Sequence, residues 1–323
     1  MSAINAVILA GDKRASKLIM HQNKAFLSFK GVPILIHVLR ALLESEFVGR
    51  IAIVGPSDRI RDTLLTSSHK NAIGERVSII EQRPNLLENA KAGFIASLPE
   101  PASSMSFEEL KESSYTESSI LIVPSDIPII TPYEIDEFIG NSDLENYDYC
   151  IGLTREEIMK HYYPTEQKPG IKMECFQIRE GRCRQNNLQL GKPLKATELA
   201  YVERMYELRY QTHFLNMLLT VFRILFTGKK IFTSMRYFIQ MQLARSLYKR
   251  GYVRLSDSIR AGNFLSVILS CMEALLGVRI QPVFTRYGGA VLDVDNETDL
   301  EILERMSDEW LAHQSELHRQ AGD

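Results

Sequence analysis

Three groups of residues in this chain have the types and spacing that phosphate chemistry needs. The first is Gly11, followed by Lys13, Arg14, Lys17 and Lys24, directly after the apolar run of residues 4–10. A glycine at the end of a buried strand lets backbone N–H groups approach a phosphate closely, and the neighbouring cations supply charge. Any one of these cations could equally be a solvated surface group. Lys24 is favoured as functional because Ala25, Phe26 and Leu27 follow it at once and hold it near the sheet edge. The second group is Asp126, which follows the apolar residues 120–123 within Ser-Asp-Ile-Pro. A carboxylate at a strand end can hold Mg²⁺ against phosphate oxygens. The competing role, a helix cap, is already met by Thr131. The third group is Asp293 and Asp295, which alternate and so face the same side of an extended segment. Two adjacent carboxylates raise each other's proton affinity unless a cation lies between them. Asp295 could instead cap the last helix, a task that Asn296 or Thr298 can also perform.

The elements that must position these groups follow from the pattern. Residues 4–10, 50–55, 77–81, 119–124 and 147–152 read as short buried strands. Helical faces lie between them, after Pro33 and over 57–67 and 87–98. Another helix opens at Thr131, where Pro132 suits the first turn and Glu134 completes a capping box. Residues 11–24 read as a long loop, and 99–117, rich in Ser, Glu and Pro, as a surface insertion. Strands alternating with helices over short connections predict a parallel sheet covered on both faces, with ligands at the carboxyl ends of the strands. Those ends carry Gly11 and Asp12, Gly55, Asn85, and Ser125 with Asp126. Beyond residue 152 come strand-like pieces at 171–178 and 187–190, then three to five helices over 197–277. Two further strands are expected at 279–284 and 290–295, and a final helix from about 298 to 320. The chain reads as one domain over 1–323, with acceptor-side strands and a helical insertion at 155–278.

Bulk properties exclude several classes. The 323 residues carry a net charge of −2, which argues against a dedicated nucleic-acid binder. Cys150, Cys175, Cys183 and Cys271 form no C-x-x-C pair, so free thiols in a reducing cytoplasm are expected. The first apolar run is too short for a secretory signal, and no charge-free stretch reaches the ~20 residues of a membrane span. No G-x-G-x-x-G follows the first strand, which disfavours a dinucleotide dehydrogenase.

Taken together, several segments resemble the MobA-like NTP transferase family. They are Leu9, Ala10 and Gly11; Lys24; Gly31, Val32 and Pro33; residues 124–128; and residues 293–300. That family includes molybdenum cofactor guanylyltransferases, methylerythritol phosphate cytidylyltransferases and sugar-phosphate nucleotidylyltransferases. The resemblance implies a Rossmann-like, mainly parallel α/β sheet with helices on both faces, the glycosyltransferase-A-type fold of nucleotide-diphospho-sugar transferases, here with a helical insertion. It implies that Lys24 and Lys17 contact the NTP phosphates and that Leu9, Ala10, Gly11, Asp12 and Arg14 line the nucleotide loop. Asn85 and Asn89 would read the base, and Asp126 with Asp295, joined by Asp293, would hold Mg²⁺. In a bacterial subgroup with a helical insert, the acceptor region carries an Asn-containing segment after two strands. Lys168, Asn186 and Asn187 stand there in this chain, with a plain β-turn as the other reading. Two departures are visible: Asp12 replaces the second loop glycine, and Lys17 with Leu18 replaces an Arg-Met pair.

Residues 208–256 contain no Asp or Glu but nine Lys and Arg, among many Phe, Leu and Met. Three readings fit: a helical hairpin with a basic solvent face, peripheral contact with an anionic membrane, or a homodimer interface. The function expected is a cytoplasmic, Mg²⁺-dependent nucleotidyltransferase. It would move NMP from an NTP to a phosphorylated small-molecule or lipid-linked acceptor. The alternatives are a catalytically degenerate nucleotide-binding regulator and a glycosyltransferase using a nucleotide sugar.

Overall fold

The structure is a computed structural model and describes residues 3–12, 18–197 and 231–322. Its centre is strand β1 (Ile4–Leu9), flanked in parallel by β4 (Val48–Gly55) on one side and β6 (Ile120–Pro124) on the other. Period-two alternation assigns the two faces. Ala6 and Ile8 of β1, with Ile51 and Ile53 of β4, point to one layer; Val7, Ala52 and Val54 point to the other. The first layer is covered by α1 (Ile34–Glu44), α2 (Ser57–Leu65), α5 (Pro132–Gly140) and the long C-terminal helix α10 (Glu297–Gly322). The second is covered by α3 (Leu86–Ser97) and α4 (Phe107–Lys111). Gly93 on α3 is required by this packing, since a Cβ there would lie 2.6 Å from a Val7 methyl and 2.9 Å from a Val54 methyl.

Strands β2 (Ser28–Phe29) and β3 (Val32–Pro33) form a separate antiparallel pair, and α6 is the short helix Glu156–Met159. The sheet has eight strands. With β5 (Val77–Glu81), β7 (Tyr149–Arg155), β9 (Gly181–Gly191) and β10 (Ile280–Thr285), its path runs β10-β7-β9-β6-β1-β4-β5, and β8 (Phe176–Ile178) pairs with β9. Strand β9 lies antiparallel between β6 and β7, while the other neighbours along the path are parallel. From β1 the chain runs outward through β4 to β5, then returns to the opposite side of β1 as β6. The switch point therefore falls between β1 and β6, which is where ligands enter open α/β sheets. The four cysteines are free thiols, three of them buried.

Three expectations change. Residues 99–117 are not a bare surface insertion. Ala102, Phe107 and Leu110 are buried in the second layer, and α4 opens with a capping box between Ser106 and Glu109. Residues 290–295 are not a strand: Gly289–Val291 form a 3₁₀ turn entered through Gly288 at φ +80°. Ala290, Val291, Leu292 and Val294 are apolar because this segment runs through the core, not because it joins the sheet. Nor does Glu134 close a capping box. Thr131 accepts from the Glu134 backbone N–H, but the Glu134 carboxylate turns inward and accepts from Thr285, Gly288 and Ala290.

Helices α7 (Ile231–Lys249), α8 (Val253–Arg260) and α9 (Leu265–Leu276) follow the residues left undescribed. Met241, Leu265 and Ile268 pack against Leu153, Ile178 and Cys183 of the sheet. Tyr252, Val253 and Leu255 are exposed at the turn into α8, beside the exposed Lys249, Arg250 and Arg254. Among the described residues no single helix is long and apolar enough to cross a membrane. The part of the basic block at 208–230 lies outside the described residues.

Candidate active site

Beyond β1 the chain passes Ala10, Gly11 and Asp12 and re-enters the described structure at residue 18. A 3₁₀ turn, Lys24–Phe26, then brings it back to the strand end. Asn23 makes this return possible. Its side-chain oxygen accepts from the Ala25 N–H at 2.9 Å, capping the turn, and its amide donates to the Ala10 carbonyl at 2.9 Å. Asn23 is buried, so both bonds are shielded from water. Lys24 is thereby fixed over the carboxyl ends of β1 and β6.

The Lys24 ammonium lies 3.0 Å from Asp126 Oδ2 and 2.9 Å from Asp295 Oδ1. Burial alone would lower the Lys24 pKa, but the two carboxylates outweigh burial and hold it above its ordinary value. The ammonium is therefore a permanent cation at neutral pH. Asp126 leaves the end of β6 without capping any helix. The last helix is capped at Asn296, whose side-chain oxygen accepts from the Asp299 N–H at 3.0 Å, so Asp295 is not spent on that role. Asp293 is the most buried of the three carboxylates. Desolvation and the nearby charges of Asp295 and Asp126 push its pKa up to about 6, against the opposing pull of Arg184 and Lys24. Arg184 NH2 stands 3.5 Å from Asp293 Oδ1. Three carboxylates thus face two cations, leaving one net negative charge to be met.

The turn that delivers Asp293 and Asp295 is held from beneath. Glu134, fully buried, accepts from the Ala290 N–H at 2.8 Å and the Thr285 hydroxyl at 2.8 Å, and its pKa rises to about 7 because burial disfavours its charge. Asn187 donates to the Ala290 carbonyl at 2.8 Å. Gly289 is packed so closely that a Cβ would meet the Ile129 carbonyl at 2.5 Å.

Beyond the ends of β1 and β5, Asp12 forms a reciprocal pair with Gln82. The Asp12 N–H donates to Gln82 Oε1 at 2.9 Å, and Gln82 Nε2 donates to Asp12 Oδ1 at 2.7 Å. The departure from glycine at residue 12 is thus absorbed by a partner at the end of β5. Asn85 caps α3, its oxygen accepting from the Glu88 N–H at 2.8 Å. Asn89 is buried, accepts from the Arg83 N–H, and lies against Gly11, where a Cβ would come within 3.0 Å of its amide. Leu9, Ala10, Gly11, Asp12, Asn85 and Asn89 therefore share one end of the sheet. Lys13, Arg14 and Lys17 lie outside the described residues.

The expected acceptor residues separate. Asn186 is buried, its amide facing the hydroxyls of Thr154 and Thr285 and its oxygen accepting from Leu188 N–H. Sealed in this way, it braces β9 against β7 and β10. Lys168 is exposed and paired with Glu309 on α10. Asn187 reaches the turn below Asp293. Four residues escaped the sequence reading: Asn23, Gln82, Arg184 and Glu134. Asn23 and Gln82 were visible as polar residues beside a strand end or Lys24. Arg184 and Glu134 depend on pairing with residues more than a hundred positions away.

Asp126 and Asp295 offer hard oxygen donors around a point already occupied by a cation, the Lys24 ammonium. Among the described residues no three His, Cys, Asp or Glu side chains form a closed metal cage. Mg²⁺ does not need one, since it is commonly held by one or two carboxylates with substrate phosphates and water completing the shell. The donor set fits that ion.

Residues 6–166 match the model of the MobA-like NTP transferase domain. Over that segment the chain belongs to the MobA-like NTP transferase family. The protein is a nucleotidyltransferase by class. Its fold matches that of a hypothetical transferase from Thermus thermophilus at 19% identity and TM-score 0.59, covering 92% of this chain and 99% of that one. Two further structures align over most of the chain at 11% identity. One is 4-diphosphocytidyl-2C-methyl-D-erythritol synthase from Anaerococcus prevotii, TM-score 0.47, covering 95% of this chain and 99% of that one. The other is CMP:2-keto-3-deoxy-manno-octonic acid synthetase complexed with CTP, TM-score 0.43, covering 96% and 99%. No curated protein sequence is significantly similar to this chain.

Proposed function

We propose that the protein transfers a nucleotidyl group from an NTP to a phosphorylated acceptor, with Mg²⁺ as cofactor. The observation that carries this reading is the bridge from Lys24 to Asp126 and Asp295 at the switch point of the sheet. A phosphate oxygen of the acceptor attacks the α-phosphorus of the NTP. The bond from that phosphorus to the bridging oxygen breaks, and pyrophosphate leaves. An acceptor phosphate is ionised at neutral pH, so no side-chain nucleophile is needed. The chain's own contribution is positioning and charge. Gly11 allows close approach of the phosphates, Lys24 faces their negative charge, and Asn23 keeps Lys24 in place. Asp126 and Asp295 would hold Mg²⁺, which when bound supplies charge neutralisation on the phosphate oxygens.

A thermal-shift panel tests the reading. The full chain is heated with each of the four NTPs, with and without Mg²⁺. A ligand that binds only the folded state raises the melting temperature in proportion to the logarithm of its concentration over Kd. One NTP is expected to stabilise the protein, in a Mg²⁺-dependent way, and the Lys24→Ala variant is expected to lose the effect. A shift with a nucleotide sugar but with no NTP would replace this reading by glycosyl transfer.

A second reading concerns location. Tyr252, Val253 and Leu255 are exposed together, beside Lys249, Arg250 and Arg254. An apolar tip ringed by cations favours peripheral contact with an anionic membrane surface, and a lipid-linked acceptor would be reached there.

A further inference from the structure

We propose that Arg184 anchors the anionic group of the acceptor, a phosphate monoester or diphosphate; this rests on the nucleotidyl-transfer reading above. An acceptor that attacks through a phosphate must enter a site edged by Asp126, Asp293 and Asp295. Lys24 is spent on Asp126 and Asp295, on the side of the nucleotide loop. A second cation is needed on the acceptor side, and among the described residues Arg184, on β9, is the cation paired with Asp293.

The state of its side chain sets it apart from its neighbour. Arg182, two residues earlier on the same strand, is fully engaged: it donates to Gln177 and Asp257 and stacks over the Tyr248 ring at 4.0 Å. Arg184 is 29% exposed, and among the described residues its guanidinium makes one long ion pair, to Asp293, and no hydrogen bond of ordinary geometry. A guanidinium carries five N–H donors in a planar fork that matches phosphate oxygens. Arg184 therefore keeps donor capacity that a purely structural arginine does not.

Its placement is also rigid. β9 is paired with β7 on both sides of Asn186–Leu188 and with β8 at residues 181–183, and Arg184 is opposite Thr154 in the β7 register. Asn187, three residues on, ties the same strand to the Ala290 carbonyl in the turn leading to Asp293. Arginine and carboxylate are thus carried by two elements fastened to each other. Lysine would keep the charge at residue 184 but not the fork.

The test uses the full chain loaded with Mg²⁺ and a non-hydrolysable analogue of whichever NTP binds. Glycerol phosphate is titrated and followed by ³¹P line broadening, which reads millimolar affinities. The Arg184→Gln variant is expected to bind it at least tenfold more weakly and Arg184→Lys to recover part of the loss. Both should keep the wild-type melting temperature and analogue affinity. Equal glycerol phosphate affinity in wild type and Arg184→Gln overturns the proposal, and so does a wild type that does not bind it. A matching loss of analogue affinity also overturns it, because Arg184 would then serve the triphosphate. A lowered melting temperature with Arg184→Lys no better than Gln overturns it in favour of a structural role. Arg184-dependent binding of glycerol phosphate by a protein that binds no NTP would sustain the anion site while removing the nucleotide reading.

Discussion

The backbone N–H of Val294 donates to the carbonyl of Asp126 at 2.9 Å. Two carboxylate-bearing segments, 168 positions apart, are fastened main chain to main chain. Asp293 and Asp295 flank that bond on one side and Asp126 on the other. The main-chain bond sets the spacing of the carboxylates, and Lys24 bridges Asp126 and Asp295 across it.

The metal role proposed for Asp126 and Asp295 can be separated from the fold by isosteric replacement. Asp126→Asn and Asp295→Asn each remove one charge from the Lys24 bridge while keeping shape. The Mg²⁺ concentration giving half-maximal stabilisation by the NTP is expected to rise at least tenfold in each variant. Transfer rate in Lys24→Ala should fall by about 10²–10³, the usual effect of removing one aimed charge stabiliser. An unchanged Mg²⁺ requirement in both Asn variants would remove these carboxylates from metal binding.

Asn23 offers a test of positioning. Replacement by alanine orphans the Ala10 carbonyl and the Ala25 N–H, both buried, at a cost of about 1–3 kcal/mol. Urea denaturation should show that loss. The NTP affinity should fall further than in an equally destabilised core variant such as Leu39→Ala, because Lys24 loses its support. Equal affinities in the two variants would leave Asn23 with a role in stability only.

Glu134 and Asp293 predict a pH dependence with a definite sign. Both carboxyls have raised pKa values when folded, about 7 and about 6. Between the unfolded value and the folded one, the folded protein holds a proton that the unfolded chain has released. Stability from each group is therefore greatest in acid and declines as pH rises toward the folded pKa, levelling off above it. For Glu134 the decline is on the order of 3 kcal/mol between about pH 4 and 8. Melting temperature measured across that range should fall with pH, and Glu134→Gln should flatten the slope. Asp293 adds to the decline below about pH 6, while His37, His161 and His313, whose pKa values burial lowers, oppose it. A slope unaltered by Glu134→Gln would show that the proton is carried elsewhere.

The apolar tip at residues 252–255 can be tested by co-sedimentation. With vesicles containing about 30% anionic lipid, the wild type should pellet at low salt and release as salt screens the basic residues. A triple change of Tyr252, Val253 and Leu255 to Ser should abolish pelleting while leaving NTP binding intact. Failure of the wild type to pellet at any salt concentration would remove the membrane contact.

Much of the fold was readable along the chain because its signals are local. Strands at 4–10, 77–81 and 119–124 announce themselves by apolar runs followed by Gly, Gln or Ser-Asp, and α3 and α5 by their caps. Where a signal had two causes, the local reading went astray. Residues 290–295 are apolar because the last helix and the sheet enclose them, which leaves the same trace as a strand. Glu134 sits where a capping box would place it, yet its carboxylate is drawn to N–H groups 154 and 156 positions away. Residues 99–117 hide three buried side chains among polar ones, because a short helix under a sheet edge needs only a few anchors.

The sequence by itself determined the class of the molecule: an α/β chain with Gly11, Lys24, Asp126 and Asp295 at places where strands end. Those placements need only local periodicity and turn chemistry. Only the tertiary structure decided that Lys24 would meet Asp126 across 102 positions and Asp295 across 271. It also decided that Asn186 would be sealed inside while Arg184 would face the carboxylates. Strand order and direction set those meetings: the switch beside β1 and the reversed strand β9 depend on how the whole sheet pairs.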